Sequence, residues 1–170
     1  NAGSLTMKNT FRYDKFGDEH YDILSAYQKS MRGSDPDAAL HYLARLLQAG
    51  DLASACRRLM VCACEDVGLA YPNLIPIVKS CVDIAMQVGM PEARITLAET
   101  TIYLATSPKS NSSLLAIDEA LRVVKQTGNL PVPLHLRNAP TQLMKELGYG
   151  EEYKYAHNFP NHFVKQQFMP

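Results

Sequence analysis

Apolar residues recur at intervals of three and four along the first three quarters of the chain, which is the spacing of one face of an α-helix. Short stretches rich in Gly, Pro, Asp and Ser interrupt this pattern, including residues 33–36, 50–51, 89–92 and 107–111. Each stretch combines signals for the end of one helix and the start of the next. The pattern therefore predicts six helices between about residues 18 and 128.

The strongest helix signals lie at the start of the chain. Acidic residues open a predicted first helix over 18–32, where the helix dipole favours negative charge, and Gly33 ends it. Asp35 is then a predicted N-cap with Pro36 at the first helical position. Asp51 is a predicted cap for the third helix, which is expected to end at Gly68.

The fourth predicted helix opens at Pro72 and carries Pro76 in its first turn, where proline is tolerated. Its body, Ile77–Val88, is apolar on several sides, so we expect it to be central. A short helix is predicted over Pro140–Leu147, and the tail from Tyr149 has little periodicity.

These elements predict an all-α fold: an irregular multi-helix bundle of about six to seven helices with an extended C-terminal tail packed over it. Helix pairs recur with a period of roughly 35 to 40 residues, within the range of helical solenoids. Because the pairs share no recurring signature residues, we favour the irregular bundle. Residues 13–170 are assigned to a single helical domain, and residues 1–12 to a flexible lead-in that begins with an expected tag remnant, Asn1-Ala2.

Composition narrows the function. Lys and Arg number 17 and Asp and Glu number 17, so no global positive charge attracts nucleic acid. The four cysteines, at positions 56, 62, 64 and 81, do not form zinc-knuckle spacings, and we interpret them as reduced core thiols. No apolar run approaches 18 residues, so no membrane span is predicted.

Sequence motifs for catalysis are absent. The chain has no G-x-x-x-x-G-K-[ST] loop and no apolar strand ending in paired acids, so it has no cradle for nucleotide phosphates or magnesium. We therefore predict no catalytic, cofactor-binding or metal-binding residue. The adjacent Glu65 and Asp66 point in different directions on a helix, and we expect one to bond nearby backbone or an arginine such as Arg57 or Arg58.

Basic, aromatic and polar residues in the predicted loops and at helix ends are the candidate interaction residues. They meet a partner, or they lock the domain internally by bonding helix-end carbonyls and carboxylates. The candidates are Lys29, Arg32, Asp35, His135, Arg137, Asn138, Lys154 and Tyr155.

Five short stretches carry a family resemblance, in one order along the chain. They are KSMRGSDPDAAL at 29–40, EDVGLA at 65–70, SPKSN at 107–111, PLHLRNAP at 133–140 and LGYG at 147–150. Together they resemble the C-terminal region of the RarA/MgsA family of AAA+ ATPases, which are clamp-loader relatives and include Werner helicase-interacting proteins. The resemblance runs from about Tyr13 to Pro170. The departures are modest: the chain has no Trp, and Tyr71 stands where the family often has Asp.

The resemblance implies a role in DNA replication, repair and recombination. Family members act at stalled forks, associate with single-stranded-DNA-binding protein and form tetramers, and their ATP and magnesium belong to the ATPase core. We expect a non-catalytic oligomerisation domain of a cytoplasmic, nucleoid-associated bacterial protein, with self, the ATPase core, single-stranded-DNA-binding protein and forked or single-stranded DNA as partners. The exposed apolar stripe through which copies of the domain would pack is expected on the first two helices or the fourth. The alternative is a DNA- or partner-binding adaptor that uses the loops around Arg32, Arg137 and Lys154.

Overall fold

A computed structural model describes residues 17–170 of the protein. The chain divides into two compact units: the first ends at Asp118 and the second is Glu119–Pro170. The predicted lead-in, residues 1–12, lies outside the described residues. The assignment of residues 13–170 to one domain stays a prediction.

The described part of the chain is all-helical, which confirms the predicted fold class, and it contains no strand. Short 3₁₀ turns lie in the loops between helices and in the C-terminal tail. The α-helices are α1 Asp18–Arg32, α2 Pro36–Gln48, α3 Leu52–Cys62, α4 Leu74–Val88, α5 Ala93–Thr106, α6 Ser112–Thr127 and α7 Gln142–Glu146.

Two helix starts are capped as the sequence predicts. The Asp35 carboxylate accepts a hydrogen bond from the Ala38 backbone N–H at 2.9 Å, and the Asp51 carboxylate accepts one from the Ser54 N–H at 3.2 Å. Each bond satisfies a backbone donor that the first helical turn leaves unpaired, so both caps are confirmed.

The first unit has a hydrophobic core of its own. Helix α1 packs against α2, α3 and α5, and α4 packs against α3 and α5. At the centre of this core the buried hydroxyls of Tyr27 and Thr101 lie 2.7 Å apart. The large apolar side chains that are fully buried include Tyr27, Met31, Leu46, Leu59, Leu74, Leu97 and Leu104. Burial of each contributes about 1.5–3 kcal/mol relative to exposure, so this unit has the apolar burial that a stable fold needs.

The end of α3 differs from the prediction. The helix was expected to continue to Gly68, but the α-helical part ends at Cys62 and widens into one π-helical turn, Ala63–Val67. Gly68 follows with φ +47°, and a Cβ there would lie 3.3 Å from the Ser110 carbonyl oxygen. Such a single π turn re-aims the side chains it carries.

Helix α4 is not central, contrary to the expectation. One stripe of it is buried in the core: Leu74, Val78, Val82 and Ala85. The exposed apolar side chains of the same helix are Ile75, Ile77, Ile84, Met86 and Val88. The second apolar face of α4 therefore forms surface, although its sequence resembles that of a core-facing helix.

The second unit has no core of its own, because none of residues 119–170 is buried. Large apolar side chains on this unit are exposed instead, and we call them the second-unit apolar surface: Leu121, Val124, Leu130, Val132, Leu134, Leu143, Leu147, Tyr153, Tyr155, Phe159, Phe163, Phe168 and Met169. No helix among residues 17–170 has the length and apolar character needed to cross a bilayer.

Candidate interaction surfaces

Arg32, at the end of α1, lies against the two carboxylates of the π turn. Its Nε donates to Asp66 Oδ1 at 2.6 Å, and its Nη2 lies 3.8 Å from Glu65 Oε2. The hydrogen bond to Asp66 is the main cause that raises the pKa of Arg32. The Arg32 side chain is 45% exposed, whereas the Asp66 side chain is 4% exposed. The arginine therefore neutralises a carboxylate that is almost wholly removed from water.

One acid of the pair bonds an arginine, as expected, but that arginine is Arg32 of α1 and not Arg57 or Arg58. Arg58 Nη1 instead donates to Gln28 Oε1 at 2.9 Å. Gln28 Nε2 in turn donates to Glu65 Oε2 at 2.8 Å. The Gln28 side chain, on α1, thus links Arg58 to Glu65 through two hydrogen bonds.

The loop at 107–111 closes this cluster. Lys109 Nζ donates to the carbonyl oxygens of Ala105 and Ser107, at 3.1 and 2.6 Å, and to Ser34 Oγ at 3.2 Å. Burial lowers the pKa of Lys109. The Ser110 N–H donates to the Asp66 carbonyl at 2.8 Å.

An open pocket of about 390 Å³ lies over these groups. Its lining is Arg32, Glu65, Asp66, Lys109, Ser110, Asn111 and Leu114. Both cations of the lining already bond oxygens of the chain, so the arrangement serves to join α1, the π turn and the loop. It presents no nucleophile with a base beside it.

The other two candidates of the first unit have simpler surroundings. Lys29 is exposed on the last turn of α1, near the negative end of the helix dipole. The Asp35 carboxylate is engaged as the cap of α2.

Three candidates of the second unit lie around one pocket of about 370 Å³: His135, Arg137 and Asn138. Arg137 Nε donates to the Val132 carbonyl at 2.8 Å, and its guanidinium carbon lies 5.0 Å from the centroid of the Tyr149 ring. His135 Nε2 is 2.5 Å from the Gln167 carbonyl oxygen. Arg137 and His135 thus hold the 132–137 loop and the tail in place.

Lys154 and Tyr155 belong to the tail. The Lys154 backbone N–H and carbonyl both bond the Gln166 side-chain amide, at 3.2 and 2.7 Å. The Tyr155 ring is 53% exposed, with its centroid 5.1 Å from that of His157.

An exposed apolar stripe was expected on the first two helices or the fourth, and the exposed side chains fit the second of these alternatives. On α1 and α2, Tyr21 is the large apolar side chain that is exposed, whereas α4 exposes several. Leu121 and Val124 of α6, one helical turn apart, are 60% and 61% exposed. Their spacing was visible in the sequence, but it is also the spacing of a core-facing helix.

Sequence reasoning missed the network residues Gln28 and Lys109, and it did not find the Gln28 partner of Arg58. Each contacts a partner 30 to 75 residues away along the chain. No local pattern signals such a pairing.

Comparison with known proteins places the chain in a family. A family model described as the C terminal of MgsA AAA+ ATPases matches residues 33–170. The chain is 55% identical over 169 residues to "Replication-associated recombination protein A" of Bacillus subtilis, covering 99% of this chain and 40% of that protein.

More distant relatives match over the same region. The protein of the same name in Escherichia coli is 45% identical over 161 residues, which cover 94% of this chain and 36% of the relative. "ATPase WRNIP1" of Dictyostelium discoideum is 38% identical over 170 residues, 99% of this chain and 19% of the relative. The chain thus spans well under half of the length of each of these relatives.

Proposed function

The chain belongs to the family of MgsA AAA+ ATPase C-terminal domains, and from this premise we propose that it is a non-catalytic assembly domain that joins copies of itself into a tetramer. The observation that carries the proposal is the second-unit apolar surface. Thirteen large apolar side chains are exposed there and no residue of the unit is buried.

The second unit needs a covering surface for energetic reasons. Ordering one residue costs about 1–2 kcal/mol of backbone entropy, which apolar burial must offset at about 25 cal/mol per Å². A unit without buried residues has little such compensation within itself. A large exposed apolar area is also typical of an interaction surface. A second copy of the chain carries the same surface and can cover it by symmetric packing.

A tetramer with dihedral symmetry needs two different interfaces on every copy. The chain offers a second apolar surface, on α4 of the first unit, with Ile77, Ile84 and Val88 exposed at 41%, 48% and 52%. Each stable interface would bury about 1,000 Å² or more.

The adaptor alternative has weaker support. It relies on the cations of Arg32, Arg137 and Lys154 for phosphate, and two of these three are committed. Arg32 is paired with Asp66, and Arg137 bonds a carbonyl and stacks on Tyr149. Committed cations add little to the counterion release that drives DNA binding. We therefore prefer self-assembly.

The names of the relatives extend the proposal to the full-length protein. The Bacillus subtilis and Escherichia coli relatives are called replication-associated recombination proteins. We propose that the full-length protein is a cytoplasmic, nucleoid-associated ATPase that acts at stalled forks. Its ATP and magnesium would bind in an ATPase core outside this chain, and that core, single-stranded-DNA-binding protein and forked or single-stranded DNA would be its partners.

The test is the molar mass of the chain by size-exclusion chromatography with light scattering, over a wide concentration range. We expect a tetramer, or a dimer that becomes a tetramer as concentration rises. The double variant Leu121→Ser/Val124→Ser should weaken association by about 3 kcal/mol, more than a hundredfold in dissociation constant, because two apolar anchors per copy are lost.

The matched control is Arg122→Ser/Lys125→Ser, with the same spacing on the same helix and exposed polar side chains. This control should leave the oligomeric state, measured as the molar mass of the assembly, unchanged. A wild-type chain that stays monomeric at the highest concentration would refute the proposal, and so would equal effects of the two double variants.

A further inference from the structure

Two histidines of the C-terminal tail face each other. His157 lies in the 3₁₀ turn Ala156–Asn158 and His162 in the next one, Pro160–His162. Their Nδ1 atoms are 3.1 Å apart, and their ring centroids are 5.0 Å apart at an interplanar angle of 64°. Both side chains are exposed, so solvent ions reach them.

The backbone between them holds this arrangement at a cost. Asn161 and His162 both have left-handed backbone angles, with φ +58° and +54°. For a residue other than glycine such a conformation costs about 1 kcal/mol or more. Two consecutive left-handed residues turn the chain back on itself, which brings the His162 ring to the His157 ring.

The Nδ1 separation fits two ligands of one metal ion. With metal–nitrogen bonds of 2.0–2.1 Å, two nitrogens 3.1 Å apart subtend about 95–102° at the metal, between the octahedral and tetrahedral angles. Neutral imidazole is a preferred ligand of Zn²⁺, Cu²⁺ and Ni²⁺. The Nδ1 separation is therefore compatible with both nitrogens binding one metal ion.

We propose that His157 and His162 form a two-histidine site for one borderline divalent cation, of which Zn²⁺ is the representative. In the metal-free pair one Nδ1 carries a proton and donates it to the other Nδ1. On binding, that proton moves to the Nε2 of its own ring, so both Nδ1 lone pairs face the metal and no net proton is lost from the neutral pair.

The site is open on its other side. Among residues 17–170 no group of three His, Cys, Asp or Glu side chains is placed to hold a metal. Water therefore fills the remaining coordination positions, and binding is weaker than at a closed structural zinc site. The proposal does not depend on self-assembly.

The experiment titrates the 170-residue chain with ZnCl₂ by isothermal calorimetry, in a Cys64→Ser background that removes the exposed thiol. We expect one Zn²⁺ per chain. The variant His162→Asn should bind at least about tenfold more weakly. Asn tolerates the left-handed backbone, so the turn is retained and only the ligand is lost.

The matched control is His135→Asn, which removes a histidine of the same unit that bonds the Gln167 carbonyl. Its zinc affinity should equal that of the parent. Imidazole ¹⁵N spectra give a second readout: zinc should shift both Nδ1 resonances and leave both rings protonated at Nε2. Absence of zinc binding, equal binding by His162→Asn, or equal weakening by His135→Asn would overturn the proposal.

Discussion

Replacement of Arg32 by glutamine tests whether the α1–π-turn contact stabilises the fold through burial of Asp66. Arg32→Gln keeps a polar side chain of similar reach and removes the charge. Asp66 then keeps a long contact from Gln28 Nε2 at 3.4 Å and a hydrogen bond with the Cys62 thiol, for a carboxylate that is 4% exposed. The Arg32 variant should therefore destabilise the folded chain.

The magnitude follows from the unequal exposure of the two partners. Removing one partner of a fully buried ion pair costs about 3–5 kcal/mol, whereas an exposed pair contributes about 0.2–1 kcal/mol. Arg32 is 45% exposed, so water takes part of its place and screens the charge. We expect the free energy of unfolding to fall by about 1–2 kcal/mol, between these limits.

The assay is urea unfolding followed by circular dichroism, at one protein concentration so that any assembly contributes equally. The control is Lys79→Gln, which breaks an exposed pair with Asp83, 2.9 Å apart, on the same unit. Its effect should stay within about 0.5 kcal/mol. If Arg32→Gln and Lys79→Gln have the same effect, burial of Asp66 is not what makes the contact stabilising.

Two further predictions concern the same region. Gly68→Ala should lower the free energy of unfolding by about 1–3 kcal/mol, because φ is +47° and the new Cβ lies 3.3 Å from the Ser110 carbonyl oxygen. Gly50→Ala, with φ +76° and no atom within 4 Å of the added Cβ, should cost less in the same urea unfolding assay, and equal losses would contradict the role of the close approach. Burial raises the pKa of the Cys62 thiol in the folded chain, so the unfolded thiol ionises first as pH rises. The contribution of the Cys62 thiol to the free energy of unfolding is complete below about pH 8.5 and is progressively lost above it. Cys62→Ala should therefore flatten the decline in the free energy of unfolding between about pH 7 and 9.5. An unchanged slope would contradict this.

The helices and their caps were predictable because their causes are local. The prediction for α1 matches the observed Asp18–Arg32, and Asp35 and Asp51 cap the helices that follow them. A cap needs only an acceptor side chain and a free N–H two or three residues later. Such signals are complete within a few residues of sequence.

The candidate surfaces were predictable only in part. Arg32 was selected by its residue type and position, but its partner Asp66 comes from a turn 34 residues away. The π turn that presents Asp66 has no clear local signal. The pairing of His157 with His162 depends on two left-handed residues whose sequence, Asn161-His162, permits that backbone without requiring it.

The sequence by itself determined the helix class, the caps and the family of this protein, because periodicity, capping chemistry and short motifs act over neighbouring residues. Only the tertiary structure decided which apolar residues form core and which form surface. Helix α4 has apolar side chains on two sides, and the packing of α3 and α5 buries one side alone. Periodicity reports that a face is apolar, but its burial depends on the elements that pack against it, and those are set by contacts between distant parts of the chain.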